Sequence, residues 1–213
     1  MSKKGILITL EGNEGCGKST QIKLLYEYLK KKGRRVFLTR EPGGTQVSDG
    51  IREVLLDNKN KKMTALTETL LYMASRAQLV EEVIKPRLKR GEIVLCDRWL
   101  DATLAYQGAG GGVDKKWIQD LGQVATQGIQ PDLTLFLNLP LHIGLRRAIS
   151  HKKADRMESK NMRYHEKVRE GYLAIAKKEP KRFHVVRMGE RDSIWVVHEK
   201  VKAIVQYAIS KNR

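Results

Sequence analysis

Cysteine is scarce. Cys16 and Cys96 are the two thiols in 213 residues, too few for a disulfide framework, and a reducing, cytoplasmic setting is the simplest expectation. Long apolar runs are missing as well: nothing approaches the roughly 18 residues of a membrane span. Met1 to Lys4 leads straight into an apolar stretch, which leaves no room for a signal peptide. Linkers, low-complexity segments and internal repeats are also missing, so a single domain over 1–213 is expected. Aromatic residues make up 6 %, and the basic runs at Lys30–Lys32, Lys59–Lys62 and Lys177–Lys178 have none interleaved. That argues against a surface on which nucleic-acid bases stack. Acid is the scarcer charge, 24 Asp and Glu against 41 Lys and Arg, for a net +17. Three sources of the excess stay open: a nucleic-acid partner, small polyanionic ligands, or Lys-rich solvated helix faces.

What is present starts with Gly12-Asn13-Glu14-Gly15-Cys16-Gly17-Lys18-Ser19, an uninterrupted G-x-x-x-x-G-K-[ST] phosphate loop followed by Thr20. Ile6–Leu10 before it reads as a buried strand, and 20–29 after it as a helix closed by Gly33. A strand, a glycine turn and a helix N-terminus aim backbone N–H groups and the positive helix end at one point, which suits a polyphosphate. Lys18 is expected on the β- and γ-phosphates and the Ser19 hydroxyl on Mg²⁺. Cys16, beside Lys18 at a helix start, is a candidate for a lowered thiol pKa, or simply a small residue filling a loop position.

Strand and helix patterns alternate to the end of the chain. Further strands are expected at 35–39, 92–96, 133–137 and around Val185-Val186. A long helix is expected over 64–90, which Pro86 either bends or marks in its last turns and Gly91 ends, with another from Asp114 as N-cap to Gln127. The last helix carries the stripe Val197, Val201, Ile204, Val205 and Ala208. The expected architecture is α/β, a five-stranded parallel sheet with helices on both faces and ligands at the strands' carboxyl ends.

Those carboxyl ends hold the remaining chemistry. Asp97-Arg98 follows the third strand, an acid for the metal or its water and a guanidinium fork for a phosphate. Arg40 ends the second strand, ahead of the turn Pro42-Gly43-Gly44. Tyr72 and Arg76 share a helix face, either as a ring and a guanidinium around a planar base or as an aromatic packed on an Arg stem. Gly108–Gly112 reads as a mobile loop near a ligand or as a flexible connector. Arg146-Arg147 and His151–Arg156 form a basic segment, over about 146–160, that suits a closing lid.

On these motifs the chain resembles the bacterial thymidylate kinases over essentially its whole length. The resemblance rests on Gly12–Thr20, on Arg40–Thr45 (Arg-Glu-Pro-Gly-Gly-Thr), on Tyr72–Arg76, on Asp97-Arg98 through Tyr106-Gln107, and on the lid. It implies a three-layer nucleoside monophosphate kinase fold, ATP and Mg²⁺ as cofactors, dTMP as acceptor and a homodimer. By position it implies Glu14 near the dTMP sugar and Arg40 and Arg98 around its phosphate. Tyr72 would stack on thymine, Arg76 would read the base edge, and Tyr106 and Gln107 would sit beside sugar and base. Asp97 would stand near Mg²⁺ and the reacting phosphate. Some relatives carry a catalytic Arg in the phosphate loop at the slot held here by Gly15, so the lid should supply the cation. Arg147, Lys152, Lys153 and Arg156 are the candidates. Trp99 and Ala102 depart from the family's usual residues. The alternatives are another nucleotide or nucleoside kinase, or a nucleotide-gated nucleic-acid-binding protein.

Overall fold

The computed structural model describes residues 5–151 and 155–211. Among these, five strands form one parallel sheet: β1 (Ile6–Glu11), β2 (Val36–Arg40), β3 (Ile93–Asp97), β4 (Leu133–Asn138) and β5 (Phe183–Arg187). Their spatial order is β2-β3-β1-β4-β5, with β1 in the middle. Register pairs Leu10 of β1 with Asp97 on one side and Leu135 on the other. Chain direction therefore brings the ends of β1, β2 and β3 to one edge, where Glu11, Arg40 and Asp97 emerge together.

Alternation along β1 builds two cores. Ile8 and Leu10 face α1 (Lys18–Lys31) and α9 (Ile194–Lys211), where Ile22, Leu25 and Leu29 meet Val197, Val201 and Val205. Leu7 faces the other way, with Val94 and Cys96, onto Leu79, Val80 and Ile84. On that second face Phe136 stacks on Tyr172 of α8 (Met162–Lys178), ring centroids 4.7 Å apart. Each fully buried aliphatic side chain here contributes about 1.5–3 kcal/mol. The stripe expected on the last helix is the one that packs, with Ile204 and Ala208 at its margin.

The helix expected over 64–90 is three pieces. α3 (Ala65–Leu79) passes into a π-helical stretch, Val80–Ile84, and then α4 (Lys85–Lys89). Pro86 cannot donate a backbone bond, so the helix widens before it and restarts with Pro86 in the first turn, where no donor is needed. Gly91, at φ 69°, ends α4 as expected. Asp114 caps α6 (Lys115–Thr126) by accepting from the Trp117 N–H at 2.8 Å.

The glycine-rich segment contradicts the mobile-loop expectation. It continues α5 (Leu100–Thr103) as a π-helical turn over Leu104–Gly110, packed on α8. A Cβ at Gly110 would come within 2.7 Å of the Tyr164 ring, and one at Gly171 within 2.7 Å of Ala109. The small residues allow two backbones to approach closely. Two further helices, α2 (Gln46–Leu56) and α7 (Leu141–His151), complete the elements around the site.

Candidate active site

A cavity of about 780 Å³ opens at the carboxyl edge of the sheet. One end is lined by Glu14–Thr20 and the other by Tyr72, Arg76, Thr103 and Gln107, with Arg40, Asp97 and Arg98 between them. Every expected site residue in these groups thus reaches one space. Arg147 on α7 lines it as well. Gly12 and Asn13 differ from expectation, since neither lines the cavity. Their carbonyls accept from Lys18 Nζ at 2.9 and 3.2 Å, and the Asn13 amide donates to the His165 carbonyl.

No side chain caps the start of α1, which leaves its N-terminus open to an anion. Gly15 has φ 66°, and a Cβ there would lie 1.9 Å from the Gly144 carbonyl oxygen of α7. The phosphate loop and α7 touch backbone to backbone. A side chain at 15 has no room while α7 is seated, which is the physical reason a cation in that slot is excluded in this arrangement. Cys16 overturns the reactive-thiol expectation: it is 1 % exposed, and burial pushes its thiol pKa up despite Lys18 nearby.

Beyond the loop, Ser19 Oγ and Asp97 Oδ2 are 3.5 Å apart. Asp97 Oδ1 is buried with no hydrogen-bond partner among the described residues. An orphaned carboxylate oxygen beside a hydroxyl fits a hydrated divalent cation.

Arg98 has a left-handed backbone, φ 75°. Its Nη2 donates to Glu14 Oε1 at 2.8 Å and its Nη1 to the Gly12 carbonyl at 3.1 Å. Tyr106 donates to the same Glu14 oxygen at 2.8 Å, and the guanidinium lies over the Tyr106 ring. Sequence reasoning missed what holds this geometry. Glu11 Oε1 accepts from the Trp99 N–H and Oε2 from the Tyr172 hydroxyl, both at 2.7 Å. Burial, with Asp101 adding repulsion, pushes the Glu11 carboxyl up to about 8. The strand pattern ended before Glu11 and carried no signal for this role.

Glu14 goes the other way. Burial alone would raise its pKa, but the Arg98 and Lys18 charges and the Tyr106 hydrogen bond hold it down at about 2. A carboxylate with a depressed folded-state pKa stabilises the fold above its unfolded value near 4.5, and that contribution fades as pH falls toward 2. Relative to Glu14→Gln, the wild type should gain on the order of 3 kcal/mol at pH 6. The difference should shrink steadily from pH 4.5 to 2 in urea titrations. A gap that does not change with pH would contradict this charge assignment.

At the far end, Arg76 is 1 % exposed and pairs with Glu41, Nη2 to Oε2 at 2.6 Å. Its Nη2 also reaches Thr103 Oγ1 at 3.2 Å. Half-buried Tyr72 shares the face, and burial raises its hydroxyl pKa. Arg40 is exposed and pairs with Asp49 at 3.2 Å. Gln107 Nε2 donates to Glu68 Oε1 at 2.7 Å. Glu41, Glu68, Thr103 and the cavity-lining Arg52 were not assigned roles, because only contacts made across the fold distinguish them.

The lid candidates separate. Arg147 lines the cavity. Arg156 does not: it is 5 % exposed, ion-paired with Glu68, and donates to the Leu55 carbonyl at 2.8 Å, so it is an anchor rather than an open cation. Lys152 and Lys153 lie outside the described residues.

Comparison with known proteins shows the family. The family model described as thymidylate kinase matches residues 10–201. The thymidylate kinase of Geobacter sp. (strain M21) is 52 % identical over 188 residues, covering 85 % of this chain and 84 % of that one. That of Caldanaerobacter subterraneus subsp. tengcongensis is 43 % identical over 204 residues, covering 96 % and 97 %. The crystal structure of thymidylate kinase from Ehrlichia chaffeensis superposes with a TM-score of 0.78 at 35 % identity, over 95 % of this chain and 99 % of that one. With a parallel sheet carrying a phosphate loop at one end of the cavity and an Arg-lined pocket at the other, the chain belongs to the thymidylate kinase family of nucleoside monophosphate kinases.

Proposed function

We propose that this protein transfers the γ-phosphoryl group of ATP to a phosphate oxygen of dTMP, giving dTDP. The observation that carries this is the single cavity with the phosphate loop at one end and Tyr72, Arg76 and Gln107 at the other. The acceptor oxygen is already anionic, so catalysis is positioning and charge neutralisation rather than base chemistry. Lys18 and the α1 N-terminus hold the donor phosphates. Arg98, fixed by Glu14, and Arg40 hold the acceptor phosphate. Arg147 brings a further cation from the lid, taken as about 146–160. Ser19 and Asp97 would hold Mg²⁺ or its water shell, and the ion would neutralise phosphate charge. Tyr72 stacks on the base, Arg76 donates to its edge, and Tyr106 stands beside the sugar.

A homodimer is part of this proposal. Val47 and Val54 of α2, Leu66 and Leu70 of α3, and Val124 of α6 are exposed apolar side chains that a second copy would cover. No described helix is long and apolar enough to cross a membrane, and the free thiols Cys16 and Cys96 support the cytoplasm as the location.

The direct test is ADP release from Mg-ATP against dTMP, dUMP, dCMP, AMP, GMP and thymidine at fixed salt. Turnover with dTMP well above the others is the expected result. Preference for a different acceptor would overturn the base assignment. Slow hydrolysis indifferent to acceptor would overturn the kinase reading altogether.

A further inference from the structure

A carboxylate outside the phosphate machinery governs what the pocket offers to a base. Glu68 of α3 is 6 % exposed. One of its oxygens accepts from Gln107 Nε2 at 2.7 Å, and the other is ion-paired with Arg156, itself 5 % exposed. An ionised carboxylate only accepts hydrogen bonds, so the Gln107 amide must turn its nitrogen toward Glu68. That turns the amide oxygen away from Glu68, so Gln107 can present an acceptor, beside its second Nε2 hydrogen, to the cavity it lines. Opposite in polarity stands Arg76. Its Nε and Nη2 are taken by Glu41, while Nη1 meets only the Met73 sulfur at 3.3 Å, a weak acceptor. The base pocket therefore sets the Arg76 donor against an acceptor on Gln107, each side chain held by a buried carboxylate. Thymine and uracil present the complement, a carbonyl O4 and a ring N–H at N3. Cytosine presents the reverse, an amino group and a bare ring nitrogen.

We propose that Glu68, charged and held by Arg156, is the specificity-setting residue of the acceptor site: it locks the Gln107 amide so that the pocket takes a pyrimidine with a ring N–H and rejects cytosine. The proposal rests on the kinase reading above and adds to it a positioning residue and its anchor. Arg156 also donates to the Leu55 carbonyl of α2 and belongs to the segment taken as the lid. The same guanidinium thus ties the lid's far end to the base-reading amide.

The test compares kcat/KM for dTMP and dCMP at saturating Mg-ATP in wild type, Glu68→Gln and Arg156→Lys. A glutamine at 68 both donates and accepts, so it tolerates either orientation of Gln107. The dCMP to dTMP ratio should rise at least about tenfold in Glu68→Gln, with the change for dTMP mainly in KM. Arg156→Lys keeps a countercharge on Glu68 and should hold the ratio within about twofold of wild type. A folded Glu68→Gln that loses both substrates in equal proportion would show a purely structural role and overturn the proposal. Should Glu68→Gln fail to fold, the pair Glu68→Gln/Arg156→Gln, which leaves no buried charge, is judged by the same ratio. Wild-type dTMP turnover is measured first and tests the function itself. A wild type that prefers dCMP would overturn the donor–acceptor assignment along with the function reading.

Discussion

Replacing Lys18 by alanine should lower kcat by about three orders of magnitude while the protein stays folded. The argument starts from position. Lys18 is 8 % exposed, and its ammonium group is held over the loop by the Gly12 and Asn13 carbonyls, at 2.9 and 3.2 Å. It is a charge placed to follow the transferring group in a cavity walled largely by protein. There a charge interaction is worth several times its value in solution. A thousandfold loss corresponds to about 4 kcal/mol of transition-state stabilisation. The cost to the fold is small by comparison, since the Gly12 carbonyl keeps its bond from Arg98 Nη1. Lys18→Arg should not restore the rate, because a planar fork cannot occupy the seat of a compact ammonium group. Steady-state ADP release and a thermal melt together decide the matter. Activity within tenfold of wild type in Lys18→Ala would remove Lys18 from the chemistry.

Arg98→Ala should produce a loss of similar size, about a thousandfold in kcat/KM for the acceptor, with a separate effect on stability. The guanidinium bonds Glu14, the Gly12 carbonyl and the Tyr172 hydroxyl, the last at 3.3 Å. Removing it leaves Glu14 as a buried carboxylate with Tyr106 as its remaining donor, a change that typically costs about 3–5 kcal/mol. The two effects come apart in a second variant. Glu14→Gln/Arg98→Ala removes the uncompensated charge and should recover much of the stability while the turnover stays low. Recovery of turnover along with stability would mean that Arg98 acts only as a structural counterion.

Legibility varied with how local the cause was. The phosphate loop, β1 and α1 were readable because glycine placement, a strand and a helix start occur within one short stretch. Asp114 and Gly91 were readable for the same reason, as a cap and a stop act on their own turn. α2 and α8 were not anticipated. Their caps, Thr45 and Asn161, lie in a turn motif and a densely charged lid, where the periodic apolar signal is diluted. The Gly108–Gly112 segment misled in the opposite direction. Several glycines together usually signal a loop, but here the absence of side chains lets the turn over Leu104–Gly110 lie against α8, and the packing energy outweighs the poor helix propensity. Pro86 was expected to bend a helix or mark its last turns; the widening upstream of it depends on how the whole element packs on β3 and β1.

At the site the division is the same. Residue types at strand ends marked Lys18, Asp97, Arg98 and Arg40, because chain direction in a parallel sheet sends all such ends to one edge whatever the details of packing. What those residues do to one another could not be read from spacing. Glu11 and Tyr172 are 161 positions apart, Glu14 and Arg98 are 84, and Arg156 and Leu55 are 101. Hydrogen bonds and ion pairs act over a few ångströms, and only the folded chain brings such pairs within that range. The sequence by itself determined the fold class, the phosphate loop and the family. The tertiary structure decided that the Cys16 thiol is buried, that Arg156 is ion-paired with Glu68, that Gly15 faces a backbone, and that Glu68 accepts from Gln107. The physical reason is that propensity and motif chemistry are properties of neighbours along the chain, whereas burial, charge pairing and steric exclusion are properties of neighbours in space.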